Sequence, residues 1–173
     1  MIYKKAPIEG QEPIRIHFER QMKRIQRDVL RMGALVEKSC LLAREALFER
    51  HLEAAEQIAK HDKKIDRLYK QIELDCVNLI ALQSPVAQDL RLLSALMQLV
   101  RDLERIGDYA KNLGDVAIRL FPYPDSPHMG QIRIMFDRCR AMLALSLESL
   151  SDLDAEAGQN VRHRDDAVDS DYD

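Results

Sequence analysis

A chain of 173 residues is long enough to bury a real core in one domain or two small ones. Its make-up, 46% hydrophobic and 32% charged with six Gly, six Pro, no Trp and 5% aromatics, favours a helical bundle over a sheet-rich fold. The net charge of −3, with acids and bases interspersed, offers no basic face to nucleic acid.

No apolar signal stretch follows Met1, and no uninterrupted run of 18 apolar residues occurs. The expectation is a cytoplasmic protein that neither leaves by a standard signal nor spans a membrane. Cys40, Cys76 and Cys139 fall at apolar helix positions without C-x-x-C or zinc spacing, so they read as core thiols in a reducing compartment.

Residues 1–13, with Pro7, Gly10 and Pro13, read as an irregular lead-in. From Ile14, the series Phe18, Met22, Ile25, Val29, Met32, Val36, Cys40, Ala43 and Leu47 keeps helical period, which predicts a first helix over 14–50. A second, over 52–82, turns Ala55, Ile58, Ile65, Leu68, Ile72, Cys76 and Leu79 inward. Ser84-Pro85 reads as an oxygen cap followed by proline at the first helical position, which predicts a third helix over 85–120. The stretch 121–128 holds three prolines and forms a connection; a fourth helix is predicted over 129–151, and an acidic, mostly polar tail follows.

The third helix carries Val86, Leu90, Leu93, Met97 and Val100 as an apolar stripe, and the next two places on that stripe hold Glu104 and Asp108. A carboxylate at the edge of a core needs a positive partner, either a basic side chain such as Arg101, Arg105 or Lys111, or a bound cation. On the second helix Asp62 and Asp66 lie with Tyr69 and Glu73 along one flank of the buried stripe. Two long helices joined by a short turn run antiparallel, so the acidic pairs can face each other across a seam. Oxygen-only donors suit Mg, Ca or Mn, with Fe also admissible. Spacing alone favours the plainer reading, solvated charges beside Lys63, Lys64 and Arg67.

An internal repeat shifts that balance. Asp62, Ile65, Asp66 and Tyr69 recur as Asp165, Val168, Asp169 and Tyr172, a displacement of 103 residues. Upstream, Met32, Leu42, Glu45, Leu47, Glu53 and Ala54 recur as Met135, Leu145, Glu148, Leu150, Glu156 and Ala157. Solvation alone does not require the D-x-x-x-D spacing to be kept, so the repeat favours a metal site and a duplicated bundle.

Three segments match a known family in order: Asp62-x-x-Ile65-Asp66 with Ile72-Glu73; Ser84-Pro85-Val86-Ala87-Gln88-Asp89-Leu90-Arg91; and Leu103-Glu104-Arg105-Ile106-Gly107-Asp108-x-Ala110-x-Asn112. They resemble the PhoU family of phosphate-transport accessory and regulatory proteins, and the likeness runs over 14–172. The resemblance implies an all-α fold of tandem three-helix bundles whose E(D)-x-x-x-D motifs bind metal clusters. It implies a negative regulator of phosphate uptake and phosphate-starvation signalling, acting between a phosphate ABC transporter ATPase and a sensor histidine kinase. A homodimer that meets membranes only through those partners is expected. By the same resemblance Asp62, Asp66, Glu104 and Asp108 are ligands in the first bundle, and Asp165 and Asp169 begin the second set. The ions expected are Fe, Zn, Mn or Mg, and Glu73 and Asp115 are weaker ligand candidates.

The chain thus divides into one complete three-helix bundle over 14–120, a Pro-rich linker over 121–128 and an incomplete second repeat over 129–173. The counterparts of Glu104 and Asp108 would fall past residue 173, so Asp165 and Asp169 have no opposing pair. The fourth helix, with Ile132, Met135, Phe136 and Met142, must then dock elsewhere or on another chain. Gly107, inside a helix, suggests close helix approach, and His61 beside Asp62 suggests an outer or surface role. No Ser-His-Asp set, E-x-x-H pair or Gly-rich phosphate loop is present, so no enzyme is expected. A metal-dependent enzyme using the same carboxylates and a metal-free helical scaffold remain the alternatives.

Overall fold

The computed structural model describes residues 14–172, apart from the side chain of Ile14; the expected lead-in over 1–13 lies outside the described residues. Six helices follow in order: α1 (Ile14–Phe48), α2 (Leu52–Gln83), α3 (Ala87–Leu120), α4 (Met129–Asp152), α5 (Ala155–Arg162) and α6 (Asp165–Tyr172). No strand occurs among the described residues. The fold is all-α.

The first three helices pack on one another, with buried apolar residues from Phe18 to Leu47 on α1, Ala54 to Leu79 on α2 and Leu93 to Ala117 on α3. Ile25, Val29, Met32 and Val36 from α1 meet Ile58, Ile65, Ile72 and Cys76 from α2 and Leu93, Leu96, Val100 and Leu103 from α3, all of them buried. Each such side chain contributes about 1.5–3 kcal/mol on leaving water, which makes this shared core the main stabilising element. Small residues let the rods approach. A Cβ on Gly107 would stand 3.2 Å from Ile65 Cδ1, and one on Gly114 would stand 3.1 Å from Ile58 Cδ1. The close approach expected at Gly107 is therefore present.

The turns differ from expectation in detail. Ser84 does not cap α3. It ends α2 in the left-handed region (φ 43°), donating its N–H to the Ile80 carbonyl at 3.1 Å, while Val86 in extended conformation precedes α3. Reversing two rods within three residues uses the serine's backbone for the turn, so α3 starts two residues later than the proline rule predicts. At the other end Arg50 takes φ 60° and closes the α1–α2 turn. Its guanidinium lies over the Phe121 ring at 4.9 Å, donates to the carbonyls of Phe121 and Tyr123, and meets Asp125 Oδ1 at 3.0 Å. One side chain thus ties the first turn to the Pro-rich connection.

The repeat recurs as geometry. Arg50 and Leu153 are both left-handed, at φ 60° and 54°, and the helix that follows each begins two residues later, at Leu52 and Ala155. The acidic tail folds as two short helices, with Asp154 Oδ1 accepting from the N–H groups of Glu156 and Ala157, both at 2.9 Å. The fourth helix docks on α1. Leu147 rests on Gly33 so closely that a Cβ there would collide with it, Phe136 meets Phe48 edge-on at 5.7 Å, and Arg44 Nε donates to Asp137 Oδ1 at 2.7 Å. Cys40 and Cys76 are buried as expected, but Cys139 is exposed at a groove lined by α3 and α6 residues, Leu103, Ile106, Asp165 and Val168.

Candidate functional site

Asp62 and Asp66 stand one turn apart on α2, and Glu104 and Asp108 one turn apart on α3. Antiparallel packing over Ile65 and Gly107 brings the two pairs to the same level of the bundle. Asp62 is 7% exposed, Asp66 and Glu104 are half-buried, and Asp108 is open to solvent. The Glu104 carboxyl holds its proton above the usual carboxylate range, first because burial disfavours its charge and then because Asp108, Asp66 and Asp62 surround it. All four carboxylates thus share one electrostatic environment.

Among the described residues a single ammonium enters that seam. Lys111 Nζ lies 2.6 Å from Asp62 Oδ2, and its proton affinity is raised by that bond and by Asp62, Asp108 and Asp66 together. Of the three basic candidates on α3, Lys111 reaches the seam by crossing to α2. Arg105 instead bonds Tyr109, and Arg101 stands 3.9 Å from its neighbour Asp102. Tyr69 donates to Glu73 Oε1 at 3.4 Å, and burial, then Glu73 and Glu104, raise the phenol's proton affinity, so Glu73 sits at the seam's edge.

The remaining sequence candidates lie elsewhere. Asp115 is exposed and is not among the charges acting on Glu104. Asp165 and Asp169 are exposed on α6, where Asp165 lines a groove with Cys139 and Val168, away from the α2–α3 seam. His61 turns to α1, its Nδ1 3.5 Å from Ser39 Oγ, and its proton affinity is lowered by burial and by Lys64 and Lys38. Lys111 is the participant that reasoning along one helix assigns poorly. Its spacing from Asp108 matches an ordinary same-helix pair, and only the packing shows that it serves Asp62.

This arrangement has close likenesses among known proteins. The family model described as "PhoU domain" matches residues 29–117, which include every residue of the seam. The chain belongs to the PhoU family. It is 54% identical over 161 residues to a "Phosphate-specific transport system accessory protein PhoU homolog" of Synechocystis, covering 93% of this chain and 72% of that one. A homolog of the same description from Aquifex aeolicus is 34% identical, with 88% and 69% covered. The crystal structure of PhoU from Pseudomonas aeruginosa superposes with a TM-score of 0.87 at 31% identity, covering 90% of this chain and 75% of that one. The phosphate transport system regulatory protein PhoU from Streptococcus pneumoniae gives 0.81 at 28%.

As a metal centre of this PhoU-family chain, the seam has a suitable donor set: four carboxylates, all oxygen, against one ammonium. Among the described residues no three His, Cys, Asp or Glu side chains already stand close enough to hold an ion. A cation there would need the more open Asp66, Glu104 and Asp108 to rotate toward Asp62, whose Oδ2 already accepts from Lys111.

Proposed function

We propose that this PhoU-family protein is a negative regulator of phosphate uptake and phosphate-starvation signalling, an adaptor between a phosphate ABC transporter ATPase and a sensor histidine kinase. The names of its relatives, as accessory proteins of phosphate-specific transport systems, support the transport connection. The cytoplasmic site of action, the homodimer and contact with the membrane only through partners belong to the same reading.

The α2–α3 seam is the metal-binding element of that adaptor, with Asp62, Asp66, Glu104 and Asp108 as ligands and Fe, Zn, Mn or Mg as the ion. The observation that carries this reading is the packing of α2 on α3 at Ile65 and Gly107, which sets Asp62 and Asp66 beside Glu104 and Asp108 with Lys111 on Asp62 and Arg105 near Glu104. A dication held there would supply further positive charge and link two rods that are otherwise held by apolar packing and the Lys111–Asp62 ion pair. The reading is regulatory, not catalytic, because the seam presents carboxylates and Lys111 without a nucleophile–base pair. Elemental analysis tests the seam: wild-type protein retains metal after dialysis, and an Asp66→Ala/Glu104→Ala variant loses most of it. Full metal content in that variant would reject the assignment. A binding assay with the ATPase and the kinase's cytoplasmic part tests the adaptor role.

A further inference from the structure

The α1 ridge that faces solvent is strongly cationic. Arg20, Lys23, Arg27, Arg31 and Lys38 are all exposed, and at 100° per residue they fall within about 80° of one another. The row spans about 27 Å of helix. On α2 the exposed Lys60, Lys64 and Arg67 share a face in the same way. Between the two helices lies a groove of about 680 Å³, lined by Arg31 and exposed Ala34 from α1, Lys64 and Arg67 from α2, and half-buried Leu35 and Leu68 between them. Arg31 shares this groove with Lys64 and Arg67, whereas Arg20, Lys23 and Arg27 line a separate groove with Leu150 of α4 and with Leu153. Among the described residues none of Arg31, Lys38, Lys64 or Arg67 has a carboxylate within 4.0 Å.

We infer that the α1–α2 groove is a docking site for an acidic amphipathic helix of a partner protein. The shape and charge select that occupant. Two packed helices lie about 8–10 Å apart, and the furrow between them is the width into which a third helix settles. Half-buried Leu35 and Leu68 offer an apolar floor, so the guest presents leucine-like side chains at i, i+3 and i+4 to the floor and carboxylates to the rails. None of the large exposed apolar side chains among the described residues lines this groove, so it lacks the protruding residues with which a protein inserts into a lipid surface. The inference rests on the adaptor reading in taking the guest to be a partner protein. It does not depend on the carboxylate seam.

The probe is a fluorescently labelled amphipathic helix built from Glu, Leu and Ala, compared with a scrambled peptide of the same composition. Fluorescence anisotropy on the whole protein is expected to show saturable binding of the first peptide that weakens as salt rises. Arg31→Glu/Lys64→Glu/Arg67→Glu weakens it about tenfold or more. Arg91→Glu/Arg133→Glu/Arg162→Glu, the same change in net charge on other exposed positions, leaves it nearly unchanged. Circular dichroism checks the fold, and the corresponding triple Gln variant replaces the Glu variant if helix content falls. No saturable binding, equal binding of the scrambled peptide, or equal loss in the control variant overturns the inference. So does tighter binding of duplex DNA or of phosphatidylserine vesicles through the same three residues. Loss of transporter ATPase or kinase binding in the groove variant supports the inference in full, and retention of both overturns the groove as the adaptor surface. If the wild-type protein binds neither partner but still binds the peptide, the groove is supported and the adaptor reading fails.

Discussion

At the scale of single residues the seam is a place of unbalanced charge, and two side chains set its balance. Glu104 holds its proton more tightly in the fold than its ordinary value of 4.5, because of burial and the neighbouring Asp108, Asp66 and Asp62. The folded state therefore binds more protons at this group than the unfolded chain, and acidification favours folding through it. Glu104→Gln is expected to raise the melting temperature of the metal-free protein at pH 7, because it removes a carboxylate whose ionised form burial and Asp108, Asp66 and Asp62 disfavour. The gain shrinks as pH falls through the raised folded value and is gone below about 4.5; thermal melts across pH measure it. Lys111→Met acts in the opposite sense. It leaves Asp62, whose side chain is 9% exposed, without its cation, and is expected to cost about 1 kcal/mol at neutral pH. If the seam takes a dication, added metal raises the melting temperature of the Met variant more than that of the wild type.

At the scale of helices, glycine decides where rods touch. Gly107 and Gly114 let α3 settle on Ile65 and Ile58, and Gly33 lets α4 settle on α1 through Leu147. These contacts differ in consequence. The first two lie inside the shared core of α1, α2 and α3, whereas the third holds only the edge where α4 joins. Gly33→Phe is therefore expected to release α4 while the core survives. Helix content falls little, and limited proteolysis cuts more rapidly in 121–128 than in the wild type; unchanged protection of that stretch would show that Arg44–Asp137 and Phe48–Phe136 hold α4 by themselves.

At the scale of the molecule, residues 14–120 carry nearly all of the buried apolar core, and among the described residues beyond them Val161 is the only buried hydrophobic one. We propose that 14–120 is an independent folding unit. A fragment ending at residue 120 is expected to unfold cooperatively, with a midpoint several degrees below that of the whole chain because the α1 surface under Leu147 and Phe136 is uncovered. Calorimetry of the fragment beside the whole chain measures this. A fragment without a cooperative transition would mean that the second repeat completes the core.

The helical character, the pairing of carboxylates one turn apart and the 103-residue echo were all decided within single helices, by a period that depends on local backbone geometry alone. That is why Asp62, Asp66, Glu104 and Asp108 could be singled out from their neighbours, and why the match to PhoU proteins ran in order along the chain. How one helix is turned against the next depends on which small residues meet at the crossing, a relation between positions far apart in sequence. The tertiary structure therefore decided that Lys111 serves Asp62, that α4 rests on Gly33, and that Ser84 closes α2. It also gathered cations spread among acids in the sequence onto the two walls of one groove, because charges interspersed along a helix separate by face once two helices choose which sides to bury.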